Sequence, residues 1–253
     1  MDNQYHYETS QMFKVISLER TPQRFEQFLA WNFDQGFERF VAFDGSKLVV
    51  EDCIRQGLIS ASNRYVAGAL GVALSHVTLW QNCVTENRPF HIAEDDIILR
   101  TDFRVASAKL LETVRAWDIV LWTHNFDWPV KVTPSPGAGP AVIKYDDPCK
   151  IIDPSAFRSA TSPSVLLPLV SAASLACYSI SPTGAKKMLS ACLPIGDRMA
   201  EYAVRADTGW INTGLDVEMS RHYAKQNAFL AMPPLALAQN DHETSTIRGN
   251  LAL

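Results

Sequence analysis

A single α/β domain, with a mixed and mainly parallel sheet flanked by helices, is predicted by three features of the 253-residue sequence. Short apolar runs alternate with segments of helical spacing from residue 13 onward, the rhythm of strand, helix and strand. Turn-forming Asp-Gly and Thr-Pro pairs punctuate that rhythm at its joints. In the middle of it the run Glu94-Asp95-Asp96 interrupts two apolar stretches, which places three charges in a tight segment between elements rather than in a solvated acidic tail.

The elements follow in order. Residues 1–12 are polar and aperiodic and read as a loose arm, leaving 13–253 as the domain. Residues 13–18 are the first strand. Thr21 and Pro22 then supply an N-cap and a proline at the first helical position, Phe25, Phe28, Leu29 and Phe33 recur at helical spacing, and Gly36 is placed to end that helix. Residues 38–43 form the second strand and run into the Asp44-Gly45 turn. From Gly68 to about Asn87 a long helix carries Val72, His76, Leu79, Trp80, Cys83 and Val84 on one face. The carboxylate strand is next, then a helix capped by Thr101 and bearing Phe103, Leu110, Leu111, Val114 and Trp117, then a strand over 117–122. Periodicity fails between 123 and 168, where more than half of the chain's 14 prolines fall, and a functional loop, a lid or a partly ordered insertion is expected there. A strand at 174–180, a helix capped by Ser181-Pro182 with Ala185, Met188 and Leu189, and a strand at 228–232 complete the pattern.

Composition narrows the function. The 47% hydrophobic content suffices for a sizeable core, and a net charge of −4 gives no overall basic character for a nucleic-acid backbone. No apolar run approaches the length of a membrane span, and the opening residues lack the basic and apolar regions of a signal peptide. A cytoplasmic protein is therefore expected, with peripheral membrane contact still open. The cysteines, Cys53, Cys83, Cys149, Cys177 and Cys192, are odd in number and form no Cys-x-x-Cys pair, which argues against a disulfide framework and a zinc ribbon.

Three adjacent carboxylates repel one another and are normally held by a cation or by hydrogen-bond donors. A hard divalent ion takes oxygen ligands, and Asp95 and Asp96 can offer them while leaving coordination positions for phosphate oxygens. Acidic residues also serve as turn formers, so the ordinary reading stands beside this one.

Several segments in order resemble glycosyltransferase family 25, the bacterial lipooligosaccharide galactosyltransferases and the related collagen galactosyltransferases. The run from Val15 through Ser17, Leu18, Arg20, Thr21 and Pro22 to Arg24 resembles that family's first strand and turn. Phe40-Val41-Ala42-Phe43-Asp44-Gly45 resembles its Ala-x-Asp-Gly strand end. The helix with Ser75-His76 and the Glu94-Asp95-Asp96 motif match in spacing, and Tyr178-Ser179-Ile180-Ser181-Pro182-Thr183-Gly184-Ala185 is similar to its Tyr-x-Ile-Ser-x-x-Gly-Ala block, with Asp216 downstream. The resemblance implies a GT-A fold, which is Rossmann-like, a UDP-sugar donor, a divalent cation, inversion at the anomeric carbon and a saccharide or glycolipid acceptor. It also implies that Ser17, Leu18, Asp44, Gly45, Ser75, His76, Glu94 and Asp95 line the donor site.

Individual residues keep two readings each. Arg24 in the first helical turn suits an anionic donor or plain solvation. His76 is either a hydrogen-bonded core residue or a site residue, and Asp216 and Glu218 are either general bases or capping and ion-paired groups. His242, between Asp241 and Glu243, is a metal ligand or a surface histidine, with Ser245 and Arg248 within reach of a diphosphate in the first case. Two departures from the family pattern, Ser17 in place of asparagine and Ala69 in place of an acidic residue, motivate the alternative of a catalytically silent binding or scaffolding protein. A metal-dependent phosphohydrolase fares worst, since no second metal cluster or phosphate-binding glycine loop is visible.

Overall fold

The computed structural model describes residues 12–145, 153–201 and 209–239 and forms a single α/β domain around a nine-stranded mixed sheet. In chain order the first half contains β1 (Met12–Ser17), α1 (Pro22–Asn32), β2 (Glu38–Val41), α2 (Val50–Arg55), α3 (Ala67–Glu86), β3 (Phe90–Glu94), β4 (Ile97–Leu99), α4 (Phe103–Glu112) and β5 (Ile119–Leu121). The second half contains β6 (Val130–Val132), β7 (Ala141–Ile143), α5 (Pro154–Arg158), β8 (Val165–Ser171), β9 (Cys177–Ile180), α6 (Pro182–Cys192), β10 (Ala200–Glu201), β11 (Gly209–Trp210), α7 (Leu215–Ser220), β12 (Ala228–Met232) and β13 (Ala236–Ala238).

The sheet order is β2-β1-β3-β9-β5-β12-β8-β6-β7. From β2 to β12 all strands except β9 run the same way: β1 is parallel to β2 and β3, β5 is parallel to β12, and β9 lies antiparallel between β3 and β5. Two-residue alternation sorts their side chains. Ile16, Phe90, Ile92, Ile119 and Leu121 face α3, α6 and α7, while Phe13, Val15, Ala93 and Val120 face α1 and α4. Each face closes a core, one around Trp80 and Tyr178 and the other around Phe28, Phe103 and Trp122.

Several expectations are revised. Met12 belongs to β1 and not to an arm, because it pairs with Phe90. Thr21 makes no side-chain cap, its hydroxyl donating instead to the Leu18 carbonyl at 3.5 Å, although Pro22 does begin the helix. Asp102, not Thr101, precedes α4, and the Thr101 hydroxyl ties α4 to α5 through the Arg158 carbonyl at 3.0 Å. The 123–168 segment is no structureless insertion: outside residues 146–152 it supplies β6, β7, α5 and the start of β8, which extend the sheet antiparallel beyond β12. Three-residue strands are too short to show alternation, and the register shift at Lys131 and Val132 breaks what there is. Among the described residues no helix is long and apolar enough to cross a membrane.

Candidate functional site

The acidic run lies where β3 ends. Glu94 closes the strand opposite Ile16 of β1, Asp95 and Asp96 make the turn, and β4 leaves antiparallel to β13. Alternation along β3 directs Glu94 to the face that carries α3 and α7 and Asp95 to the face that carries α1. The contacts agree. Glu94 Oε1 lies 3.5 Å from His76 Nε2 on α3, whereas Arg24 on α1 donates from Nε and Nη2 to Asp95 Oδ1, each at 2.7 Å. Arg24 Nη2 also reaches Asp96 Oδ2 at 3.2 Å. The other Asp96 oxygen, Oδ1, is buried without a hydrogen-bond partner. Loss of hydration, and then repulsion from Glu94 and Asp95, push the Asp96 carboxyl up to about 6 against the pull of Arg24.

Behind Glu94 stands a buried polar column. Tyr178, on β9, holds His76 Nδ1 at 2.8 Å through its hydroxyl and accepts from Trp80 Nε1 at 2.8 Å. Both partners come from α3 one turn apart, so the tyrosine fixes the imidazole that faces Glu94. Of the two readings of His76, the geometry combines a core position with an edge on the site. Tyr178 lies in the quoted Tyr-x-Ile block, yet only the fold shows that its hydroxyl is the hub.

Asp216 sits partly buried in the first turn of α7, its Oδ1 accepting from the Val217 amide at 2.9 Å. Burial raises its carboxyl to about 6, with Glu94 raising it further and His76 opposing. α7 packs on α3, the helix of His76, and so lies on the sheet face to which Glu94 points. Glu218 has other partners. Fully buried, it accepts from Asn212 Nδ2 and Arg221 Nη1 and lies 3.3 Å from Arg198 Nη2 and 3.4 Å from His222 Nε2. Cys192, Glu218 and His222 are close enough to suggest metal ligands, but two guanidinium groups already neutralise the carboxylate and burial pushes the thiol well up. This group is an ion-paired support: Asn212 passes it on to the Tyr65 hydroxyl at 2.7 Å, tying α7 to the approach of α3.

The remaining expected donor residues lie around the carboxyl ends of β1 and β2. Ser17 is buried, and its hydroxyl has no hydrogen-bond partner. The Leu18 carbonyl accepts from Arg39 Nη2 at 3.0 Å. Asp44 accepts from the Ser46 amide and lies 3.2 Å from Arg20 Nε, so it shapes its own turn. Ser75 acts as a strut, donating to the Gly71 carbonyl at 2.7 Å and accepting from the Phe43 amide at 3.0 Å. A Cβ on Gly45 would sit 1.6 Å from the Ala67 carbonyl oxygen, and one on Gly71 would sit 2.5 Å from that of Phe43. The turn after β2 therefore packs backbone to backbone on α3. Sequence reasoning missed the Arg24 bridge across the acidic turn, since no local spacing connects α1 to β3.

The donor set suits a hard divalent cation. Carboxylate oxygens are its preferred ligands, and the unpartnered Asp96 Oδ1 with its raised pKa is an oxygen whose charge is incompletely compensated. The chain reaches the same place again from its other end, where the Gln239 amide donates to the Asp96 carbonyl at 3.0 Å. His242, Ser245 and Arg248 follow within nine residues and lie outside the described residues.

Comparison with known proteins gives a relative and a family. A 110-residue stretch, 40% of the chain, is 36% identical to "Putative glycosyltransferase R655" of Acanthamoeba polyphaga mimivirus, and the match spans 33% of that relative's length. The family described as Glycosyltransferase family 25 (LPS biosynthesis protein) matches residues 10–204, which include the acidic turn, His76 and Arg24. The chain belongs to glycosyltransferase family 25.

Proposed function

We propose that this protein is an inverting, cation-assisted glycosyltransferase that moves galactose or a related hexose from a UDP-sugar to a hydroxyl of a saccharide or glycolipid acceptor. The observation that carries the reading is the acidic turn itself, where Asp96 Oδ1 is buried without a hydrogen-bond partner beside Asp95 and Glu94, while α7, which carries Asp216, packs on the sheet face of Glu94 from the other half of the chain. Asp216 takes the proton of the acceptor hydroxyl, and the freed oxygen attacks the anomeric carbon from the face opposite the leaving group. The anomeric bond to the diphosphate oxygen breaks, and UDP departs with the electron pair. Asp95 and Asp96 would hold manganese or magnesium, with His242 as a further ligand, and the ion supplies neutralisation of the charge growing on the diphosphate. Ser17, Leu18, Asp44 and Gly45 face the nucleotide, with Ser245 and Arg248 assigned to the diphosphate.

A catalytically silent nucleotide-binding protein is the second reading, favoured by one observation: Arg24 already engages Asp95 and Asp96. UDP release from a panel of UDP-hexoses with manganese and an oligosaccharide acceptor separates the two. Release that falls about a hundredfold or more in Asp96→Asn supports transfer, by analogy with the loss of a transition-state contact. Tight UDP binding without release from any donor supports the silent reading.

A further inference from the structure

The side chain that most constrains the acidic turn is itself a cation. Arg24 spends both its Nε and its Nη2 on Asp95 Oδ1 at 2.7 Å and shares Nη2 with Asp96 Oδ2 at 3.2 Å. Asp95 is nearly buried, while the Arg24 side chain keeps a quarter of its surface in solvent. Arg24 occupies the first turn of α1, where the helix dipole disfavours a positive charge, and Thr21 offers that turn no side-chain cap. The carboxylate pair holds the guanidinium across the turn. A divalent ion on the same oxygens would face a fixed positive charge at hydrogen-bond range.

We infer that Arg24 is a displaceable counter-ion, which competes with the divalent cation for Asp95 and Asp96 and moves to the diphosphate when nucleotide and cation enter together. The inference rests on the metal assignment proposed above. A diphosphate gives the guanidinium an alternative partner of matching bidentate geometry. The positive dipole end of α1 favours that anion in the same place. Cation alone must part Arg24 from the carboxylates with no new anion brought in for it; cation with diphosphate exchanges one anionic partner for another. Binding of the two ligands is then positively coupled, and by linkage each raises the affinity of the other by the same factor.

The test is manganese binding, followed by electron paramagnetic resonance of the free ion, to wild type, Arg24→Met and Arg24→Lys, each with and without UDP. Arg24→Met keeps the bulk of the stem and removes the charge; Arg24→Lys keeps the charge and removes the fork. We expect Arg24→Met to bind manganese without UDP at least tenfold more tightly than wild type. UDP should raise the affinity of wild type strongly and that of Arg24→Met little, with Arg24→Lys near wild type. Equal manganese affinity of wild type and Arg24→Met, both lost in Asp96→Asn, would overturn the competition while leaving the metal site in place. Absence of Asp96-dependent manganese binding in every protein, with or without UDP, would overturn both the competition and the metal assignment beneath it. Thermal unfolding without ligand checks that each variant is folded.

Discussion

At pH 7 a carboxyl group with a pKa of about 6 is about nine-tenths ionised, and it is a better proton acceptor than one of ordinary acidity. Asp216 reaches this state through partial burial and the nearby charge of Glu94. Glu218, two residues on, is about 200° away around the helix and spends its charge on Arg198 and Arg221. The two candidates are thus separated by direction, a distinction that spacing in the sequence could not supply. Asp216→Asn is expected to lower turnover by about a hundredfold or more with UDP affinity kept, as removal of a general base does. In wild type, kcat/KM should fall as the pH drops below about 6. Loss of UDP binding in the variant would move Asp216 from base to donor pocket.

At the scale of elements, the site depends on backbone contacts that admit no side chain. The turn after β2 lies against α3, where Gly45 and Gly71 meet the carbonyls of Ala67 and Phe43, and Ser75 bonds to both sides of the contact. A methyl group at Gly71 has only rigid backbone to push against. We expect Gly71→Ala to cost about 1–3 kcal/mol through overpacking, seen as a lower Tm, and to weaken UDP binding more than it changes turnover, because the displaced turn carries Asp44 and Gly45, which the proposed function assigns to the nucleotide. An unchanged Tm would mean that α3 and the turn separate freely. Asp44-Gly45 and the Ser75-His76 helix were legible in sequence because each has a local signature. The antiparallel strands β6 and β7 were not, since three-residue strands carry too few alternations to register. Nor was the pairing of Arg24 with Asp95, separated by 71 positions, which only the docking of α1 on β1 and β4 creates.

Stability of the whole molecule against acid is set by groups of opposite sign. His91 bonds Ser179 through Nδ1 at 2.6 Å and stacks on Phe13; burial holds its pKa down to about 3, and that of His124 down to about 4, against 6.5 in the unfolded chain. As pH falls through 6.5 the unfolded chain takes up these two protons and the native protein does not, so stability is lost. Asp96 and Asp216 act the other way, protonating near 6 in the native protein but near 3.8 when unfolded, so between those values acidification adds stability. From pH 6 to about 4 the two pairs cancel, and from there down to about 3 only His91 still withholds a proton that the unfolded chain binds. Asp216→Asn deletes one compensating proton. Without divalent cations its Tm should equal or exceed that of wild type at pH 7, where the variant no longer buries a charge, and fall relative to wild type between pH 6 and 4. One uncompensated proton amounts to about 1.4 kcal/mol per pH unit, or about 3–5 °C per pH unit in a domain of this size. Calorimetric Tm values for the two proteins across pH 4–7 make the comparison, and their difference cancels every group that the substitution leaves alone. Parallel curves would return Asp216 to an ordinary acidity and remove the basis for its role as the base.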